Sequence, residues 1–279
     1  KPFLYSLAME NGASPCDKAP NVQRTYMVAG RPWTPRNTNR HRYGQMVTLK
    51  WGLAESNNWI SAYLMSKLNP RQFVDMLHKF GINNPDIYPS MALALGPCEV
   101  SVGEMVSAYS TFANNGVRIA PLFVTSIEDA EGNVVANFEP RMEEVISSES
   151  AYKMIVELRA VVDEGTAGRL RYKYDMPGEI GGKTGTTNNN SDAWFMGFTP
   201  QLVSGVWVGG EDRDIHFDSM RMGQGATMAL PIWAYFMKKV YRDRSLPYNP
   251  EATFNVPADY NPCAKDNTEV ANGIDEVYE

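Results

Sequence analysis

The chain is poor in the residues that build metal sites and lacks the runs that build membrane spans. Three cysteines and three histidines occur among 279 residues, and none stands at zinc-ligand spacing from another. Cys16, Cys98 and Cys263 form no Cys-x-x-Cys pair; one disulfide among them is open, and the sequence does not assign its partners. His41, His78 and His216 are equally scattered. All six read as structural or surface residues, and no metal or other cofactor is called for. No apolar stretch approaches the roughly 18–20 residues of a membrane helix. No signal-peptide pattern opens the chain, and its first residue is Lys1 rather than methionine. The start therefore reads as processed or artificial, with any membrane anchor upstream of it. An excess of positive charge is missing too. With 26 Lys and Arg against 32 Asp and Glu, the net charge is −6. That disfavours nucleic acid as a partner and gives no basic membrane-binding face.

What is present suits a folded domain. Hydrophobic residues make up 43% and charged residues 21%, close to globular averages, over a length that allows one large domain or two small ones. Residues 11–45 are dense in Gly, Pro, Asn and Arg and read as irregular, packed on the surface or bordering a site. Residues 47–68 read as helical on both sides of a polar break at Ser56-Asn57-Asn58. A helix over "NPRQFVDMLHKFGI" places Phe73, Met76, Leu77 and Phe80 on one face and stops at Gly81. Ser101 and Glu104 have capping-box spacing ahead of a helix that ends at Asn115-Gly116. A hairpin turns at Glu131-Gly132-Asn133, and "SESAYKMIVELRAVVDEG" is a long amphipathic helix closing at Gly165. Three strands are expected between about 178 and 210, packed on a helix near 229–243. Residues after about 246 read as a Pro- and Asn-rich extension.

Lys183-Thr184-Gly185 is the sharpest motif. It sits on an expected strand between Gly181-Gly182 and Thr186-Thr187. Such a strand suits an anionic peptide. The lysine supplies positive potential, the Thr184 and Thr186 hydroxyls can donate to a carboxylate, and Gly185 lets a substrate backbone approach. Alone it reads equally as an edge strand protected by a lysine. Ser56-Asn57-Asn58 matches Ser-x-Asn, for which about one chance match is expected at this length. Alone it reads better as a pair of helix caps. Together the two are informative, because Ser-x-x-Lys, Ser-x-Asn and Lys-Thr-Gly form the joint signature of penicillin-binding proteins and class A β-lactamases. The one complete Ser-x-x-Lys, Ser150 to Lys153, follows Ser-x-Asn instead of preceding it and opens an ordinary amphipathic helix. It reads as a decoy.

Lys1-Pro2-Phe3 resembles the end of the Ser-x-x-Lys-Pro-Phe segment of class A penicillin-binding proteins. The likeness extends over "MVTLKWGLAESNNW", "ALGPCEVSVGEMVSAYSTFANNGV", "AYKMIVELRAVVDEGTAGRL" and "GGKTGTTNNNSDAWFMGFTPQLVSGVWVG". Cys98, the 11–45 segment and the C-terminal residues match only loosely. The resemblance implies an α+β transpeptidase fold, with an antiparallel sheet flanked by helices and a helical subdomain. It assigns residues 1–245 to an N-terminally incomplete penicillin-binding transpeptidase domain and 246–279 to an extension. It also implies a serine nucleophile three residues before Lys1 and two upstream strands beside the last strand of the sheet. A glycosyltransferase domain and one membrane helix would precede them, on the extracytoplasmic face of the bacterial inner membrane.

The chemistry so implied is serine acyl transfer from a D-Ala-D-Ala stem peptide, crosslinking peptidoglycan and trapped by β-lactams. In it Lys1 is the base, its pKa lowered in part by Lys183. Ser56 relays the proton, and Asn58 holds Lys1 and binds the substrate amide. Thr184 and Thr186 take the terminal carboxylate, and the backbone N–H of Thr186 serves the oxyanion hole. A β-lactam sensor that is acylated without turnover is the alternative, but "TTNNNSDAWFMGFTP" does not resemble such sensors. A β-lactamase would need a water-activating element after Ser-x-Asn, and none is seen. The testable expectation is that Lys1, Ser56, Asn58, Lys183 and Thr186 meet in one cleft.

Overall fold

A helix that is apolar on every side must be surrounded, and α1 (Pro2–Glu10) is: Pro2 through Met9 are all buried. Pro2 is tolerated because the first turn of a helix leaves its N–H groups unbonded anyway. The computed structural model describes residues 1–38 and 40–264. In it Phe3 of α1 lies 4.8 Å from Phe80, 5.8 Å from Tyr109 and 6.2 Å from Phe112, ring centroid to ring centroid. This aromatic cluster fixes the helix that begins at Lys1.

Residues 11–45 contain short strands that the composition hid. β1 (Lys18–Pro20) pairs, across a hairpin of β2 (Tyr26–Val28) and β3 (Arg31–Trp33), with β4 (Met46–Thr48). The hairpin turns on Ala29 and Gly30, both at positive φ (48° and 75°), as a two-residue turn of matching twist requires. Val47 and Thr48 thus belong to a strand and not to the helix expected from 47. Thr48 caps α2 (Leu49–Ala54), its hydroxyl accepting from the Trp51 N–H. The break falls at Glu55-Ser56-Asn57. Asn57 caps α3 (Asn58–Lys67), whose first residue is Asn58.

Other elements follow the sequence closely. α4 (Pro70–Lys79) buries Phe73, Met76 and Leu77 and stops at Gly81, φ 86°. Both halves of the Ser101–Glu104 capping box open α5 (Val102–Ala113), which ends before left-handed Asn115 and Gly116. β5 (Val117–Ile119) pairs with β8 (Met142–Glu144) around the hairpin of β6 (Ser126–Glu128) and β7 (Val134–Asn137). α6 (Ser148–Asp163) runs along α1 and α2, and α7 (Arg169–Tyr172) follows a sharp turn. Gly165 in that turn has no room for a side chain, since a Cβ would sit 2.3 Å from the Ala54 carbonyl oxygen.

β9 (Gly181–Thr186), β10 (Asp192–Phe198) and β11 (Val203–Gly209) form an antiparallel sheet in the order β11-β10-β9. Alternation along β10 joins two layers. Phe195 meets Trp233 of α9 (Ala229–Arg242), while Phe198 meets Tyr109 and Phe112 of α5. The short α8 (Met220–Gly223) lies between sheet and α9 in sequence. The architecture is the expected α+β one. Among the described residues the outer edge of β11 is unpaired.

The C-terminal residues are irregular but not detached. Phe254 is buried against Phe198, its N–H donates to Glu179, and Tyr260 packs edge-on to Tyr152. A disulfide joins Cys16 to Cys263 and leaves Cys98 free. Residues 265–279 of the expected extension lie outside the described residues. Closing a loop of 247 residues constrains the unfolded chain by at most about 5.5 kcal/mol in the chain-entropy picture. Oxidised protein unfolded without reductant should therefore show one titratable thiol, and Cys263→Ser should lower the thermal midpoint. Three titratable thiols would refute the pairing.

Candidate active site

Lys1 is the N-cap of α1, and its carbonyl accepts from the Leu4 and Tyr5 N–H groups. Its side chain crosses to the α2–α3 break. Lys1 Nζ donates to Asn58 Oδ1 at 2.6 Å, to the Ser56 carbonyl at 3.0 Å and to Ser56 Oγ at 3.2 Å. Ser56 has a φ of 54°, left-handed and uncommon for a residue with a side chain. That conformation turns both its carbonyl and its hydroxyl toward one amine, and such backbone strain gathers at functional sites.

Asn58 is held from the other side. Its Nδ2 donates to the Arg36 carbonyl and its backbone N–H to Asn37 Oδ1, both at 2.6 Å. The irregular segment thus borders the site. An amide nitrogen has two hydrogens, so one N–H of Asn58 remains for another acceptor.

β9 supplies the opposite wall. Lys183 is buried, and its Nζ donates to the Thr184 carbonyl at 3.0 Å. Thr184 Oγ1 lies 2.9 Å from Thr166 Oγ1. Thr186 Oγ1 accepts from the Gly225 N–H at 3.0 Å, which leaves the hydroxyl proton free to donate. Gly185 has a reason for being glycine that the sequence did not show. A Cβ there would come within 3.1 Å of Trp194 Cβ on the paired strand.

Lys1, Ser56, Asn58, Lys183, Thr184, Gly185 and Thr186 all line one cavity of about 640 Å³. Its described lining carries Lys1, Lys183, Arg36 and Arg169 against the single carboxylate of Glu55. The positive lining stands out in a chain of net charge −6. Ser150 does not share this cavity. It is buried in the first turn of α6, where Lys153 pairs with Glu149.

Burial sets the electrostatics. Desolvation of the enclosed amine lowers the Lys1 pKa to about 8. Lys183 is pushed well below the ordinary lysine value, first by burial and then by the charge of Lys1. Expectation put the repulsion on Lys1. Burial is the leading cause at both amines, and the repulsion between them adds to it. Thr166, Asn37, Arg36 and Gly225 were not singled out beforehand. Thr166 alone had a signal, lying in the segment "AYKMIVELRAVVDEGTAGRL" noted for its resemblance.

Residues 1–211 match the family model described as the penicillin binding protein transpeptidase domain. The chain belongs to the penicillin-binding protein transpeptidase family. Penicillin-binding protein 1A of Aquifex aeolicus is 36% identical over 244 residues, covering 87% of this chain and 32% of that protein. Penicillin-binding protein 1A of Neisseria lactamica is 32% identical over 258 residues, covering 88% and 31%. Among solved structures, penicillin-binding protein 1A from Haemophilus influenzae superposes with a TM-score of 0.82 at 27% identity, covering 92% of this chain and 43% of that one. The chain spans about a third of the length of the curated relatives it matches.

Two results test the electrostatics of this transpeptidase domain. Lys183 keeps a depressed pKa when folded and the ordinary value of 10.5 when unfolded. The unfolded chain then binds more protons between those values, so the penalty is full at low pH and vanishes as pH approaches 10.5. Lys183→Met should raise the thermal midpoint by a few degrees near neutrality, and the gap from wild type should shrink as pH rises. A gap that stays constant or widens with pH would refute a desolvated cation. If a carboxylate docks on Thr184, as proposed below, Thr166→Val in the full-length protein should leave the fold intact but slow acylation by a carboxylate-bearing β-lactam about 5-fold, as a lost hydrogen bond of about 1 kcal/mol implies. An unchanged rate would remove Thr166 from the account.

Proposed function

We propose that this domain catalyses serine acyl transfer from a D-Ala-D-Ala stem peptide, crosslinking peptidoglycan. The observation that carries the reading is the hydrogen bonding of Lys1 Nζ to Ser56 and Asn58 in the cavity lined by Lys183 to Thr186. A terminal carboxylate docks on the Thr184 and Thr186 hydroxyls, drawn by the cationic lining. The serine three residues before Lys1, in the longer protein, gives its proton to the neutral Lys1 amine and attacks the penultimate D-Ala carbonyl. At a pKa of about 8, roughly a tenth of such amines are neutral at pH 7, against less than a thousandth for an ordinary lysine. The backbone N–H groups of that serine and of Thr186 receive the oxyanion. Ser56 Oγ, already bonded to Lys1, passes the proton to the departing D-Ala nitrogen. An amine of a neighbouring stem peptide then takes the acyl group by the reverse route.

β-Lactams enter by the same first step and stay. The solved neighbour from Mycobacterium tuberculosis described as PonA1 in complex with penicillin V shares the fold at a TM-score of 0.73 and 24% identity. An extracytoplasmic location, membrane anchorage and a preceding glycosyltransferase domain belong to this proposal. So does the docking of upstream strands on the open edge of β11. The Cys16–Cys263 disulfide suits an oxidising compartment.

The test is a gel assay with fluorescent penicillin on the full-length protein, on its variant with that serine changed to Ala, and on the bare 279 residues. The full-length protein should be labelled, and neither the variant nor the bare chain should be. Labelling of the variant, or of the bare chain at Ser56 or Ser150, would contradict the proposal.

A further inference from the structure

A second cavity, of about 450 Å³, adjoins the first and shares Arg36 and Asn37 with it. Its described lining is completed by Gln23, Thr34, Arg40 and Trp59, with no carboxylate among them. Arg36 and Arg40 are exposed, and among the described residues neither guanidinium has an acidic partner. In a chain with 32 acidic and 26 basic residues, two adjacent unpaired guanidinium groups beside a cleft need a reason.

The backbone at Pro35 and Arg36 is held by hydrogen bonds. The Pro35 carbonyl accepts from Trp59 Nε1 at 3.0 Å and from Gln23 Nε2 at 3.1 Å. The next carbonyl, of Arg36, accepts from Asn58, and Asn58 in turn holds Lys1. Two hydrogen bonds therefore connect the wall of the second cavity to the reacting amine. Arg40 stands 5.9 Å over the Tyr43 ring, which packs edge-on to Trp59 at 5.4 Å. The aromatic pair props this guanidinium at the mouth. A planar fork of donors without a partner matches a carboxylate in shape as well as charge.

We propose that the second cavity is an anion subsite for a side-chain carboxylate of the peptide substrate, placed away from the carboxylate that docks on β9. The inference rests on the transpeptidase reading and extends it to substrate choice. Because the wall is tied to Asn58, a carboxylate bound there registers the peptide against Lys1, and the amide of the same side chain binds less well. The carboxylate belongs either to the acyl donor or to the amine acceptor.

Paired peptides differing only in one side-chain carboxylate or its amide separate these sources, using the full-length protein. One arm varies the donor with a fixed amine acceptor, and the other varies the acceptor with a fixed donor. Wild type should prefer the carboxylate about tenfold in kcat/KM in one arm, which names the source. The preference should fall below about threefold in R36Q/R40Q and be only partly kept in R36K/R40K, which retain the charge but lose the planar fork. It should also shrink between about 0.05 and 0.5 M salt, since the groups are exposed. No preference in either wild-type arm overturns the subsite, and so does a preference that survives R36Q/R40Q. If R36Q/R40Q does not fold, salt decides: a preference insensitive to salt overturns the inference. Fluorescent-penicillin labelling of wild type keeps the two readings apart. Labelled protein without the preference loses the subsite alone, whereas unlabelled wild type loses the transpeptidase reading itself.

Discussion

Two lysine amines in one desolvated cavity are the constraint on which the rest of this structure depends. Each ammonium group raises the free energy of charging the other, and burial raises it for both. Such an arrangement is unstable by itself and persists because the surrounding fold over-determines it. Lys1 is pinned by three acceptors, Lys183 by the Thr184 carbonyl, and α1 by the Phe3, Phe80, Tyr109 and Phe112 cluster. A destabilised ammonium gives up its proton more readily, which is what the proposed base requires.

The elements meet there for packing reasons that can be named. α6 must close on α2, and Gly165 permits it by leaving the Ala54 carbonyl unobstructed. The same turn delivers Thr166 to Thr184 on β9. Gly197 lets Trp233 of α9 lie against β10, since a Cβ would meet the indole at 2.5 Å. The sheet is thereby clamped between α9 and α5, and β9 is left at its edge with Lys183 to Thr186 facing the cavity. Left-handed Ser56 completes the opposite wall.

Much of this was legible in the sequence because it is local. A capping box, a stop glycine, an apolar stripe and a Lys-Thr-Gly strand each declare themselves within a few residues. Ser56, Asn58 and Lys183 were found because their motifs are short and keep their order along the chain. What stayed hidden depends on distance. Asn37 and Arg36 matter only because a segment fragmented by Pro20, Gly30 and Pro32 folds back on α3, and no pattern within 11–45 encodes that return. Thr48 read as helix because the strand that claims it lies some thirty residues away. Gly185 read as an opening for substrate, whereas its cross-strand neighbour Trp194 also crowds the place a Cβ would take. The leading part of burial in the lowered Lys1 pKa was missed for a similar reason. A neighbouring cation can be guessed from motifs, but burial is a property of the whole fold.

The central claim is that the Lys1 amine is neutral far more often than an ordinary lysine. The direct measurement is the second-order rate of acylation by a β-lactam as a function of pH, on the full-length protein. The rate should rise with pH and level off through an apparent pKa of about 8. A rate that keeps climbing toward 10.5, the value of an unperturbed lysine, would contradict the account, as would a rate flat from about pH 6 to 9.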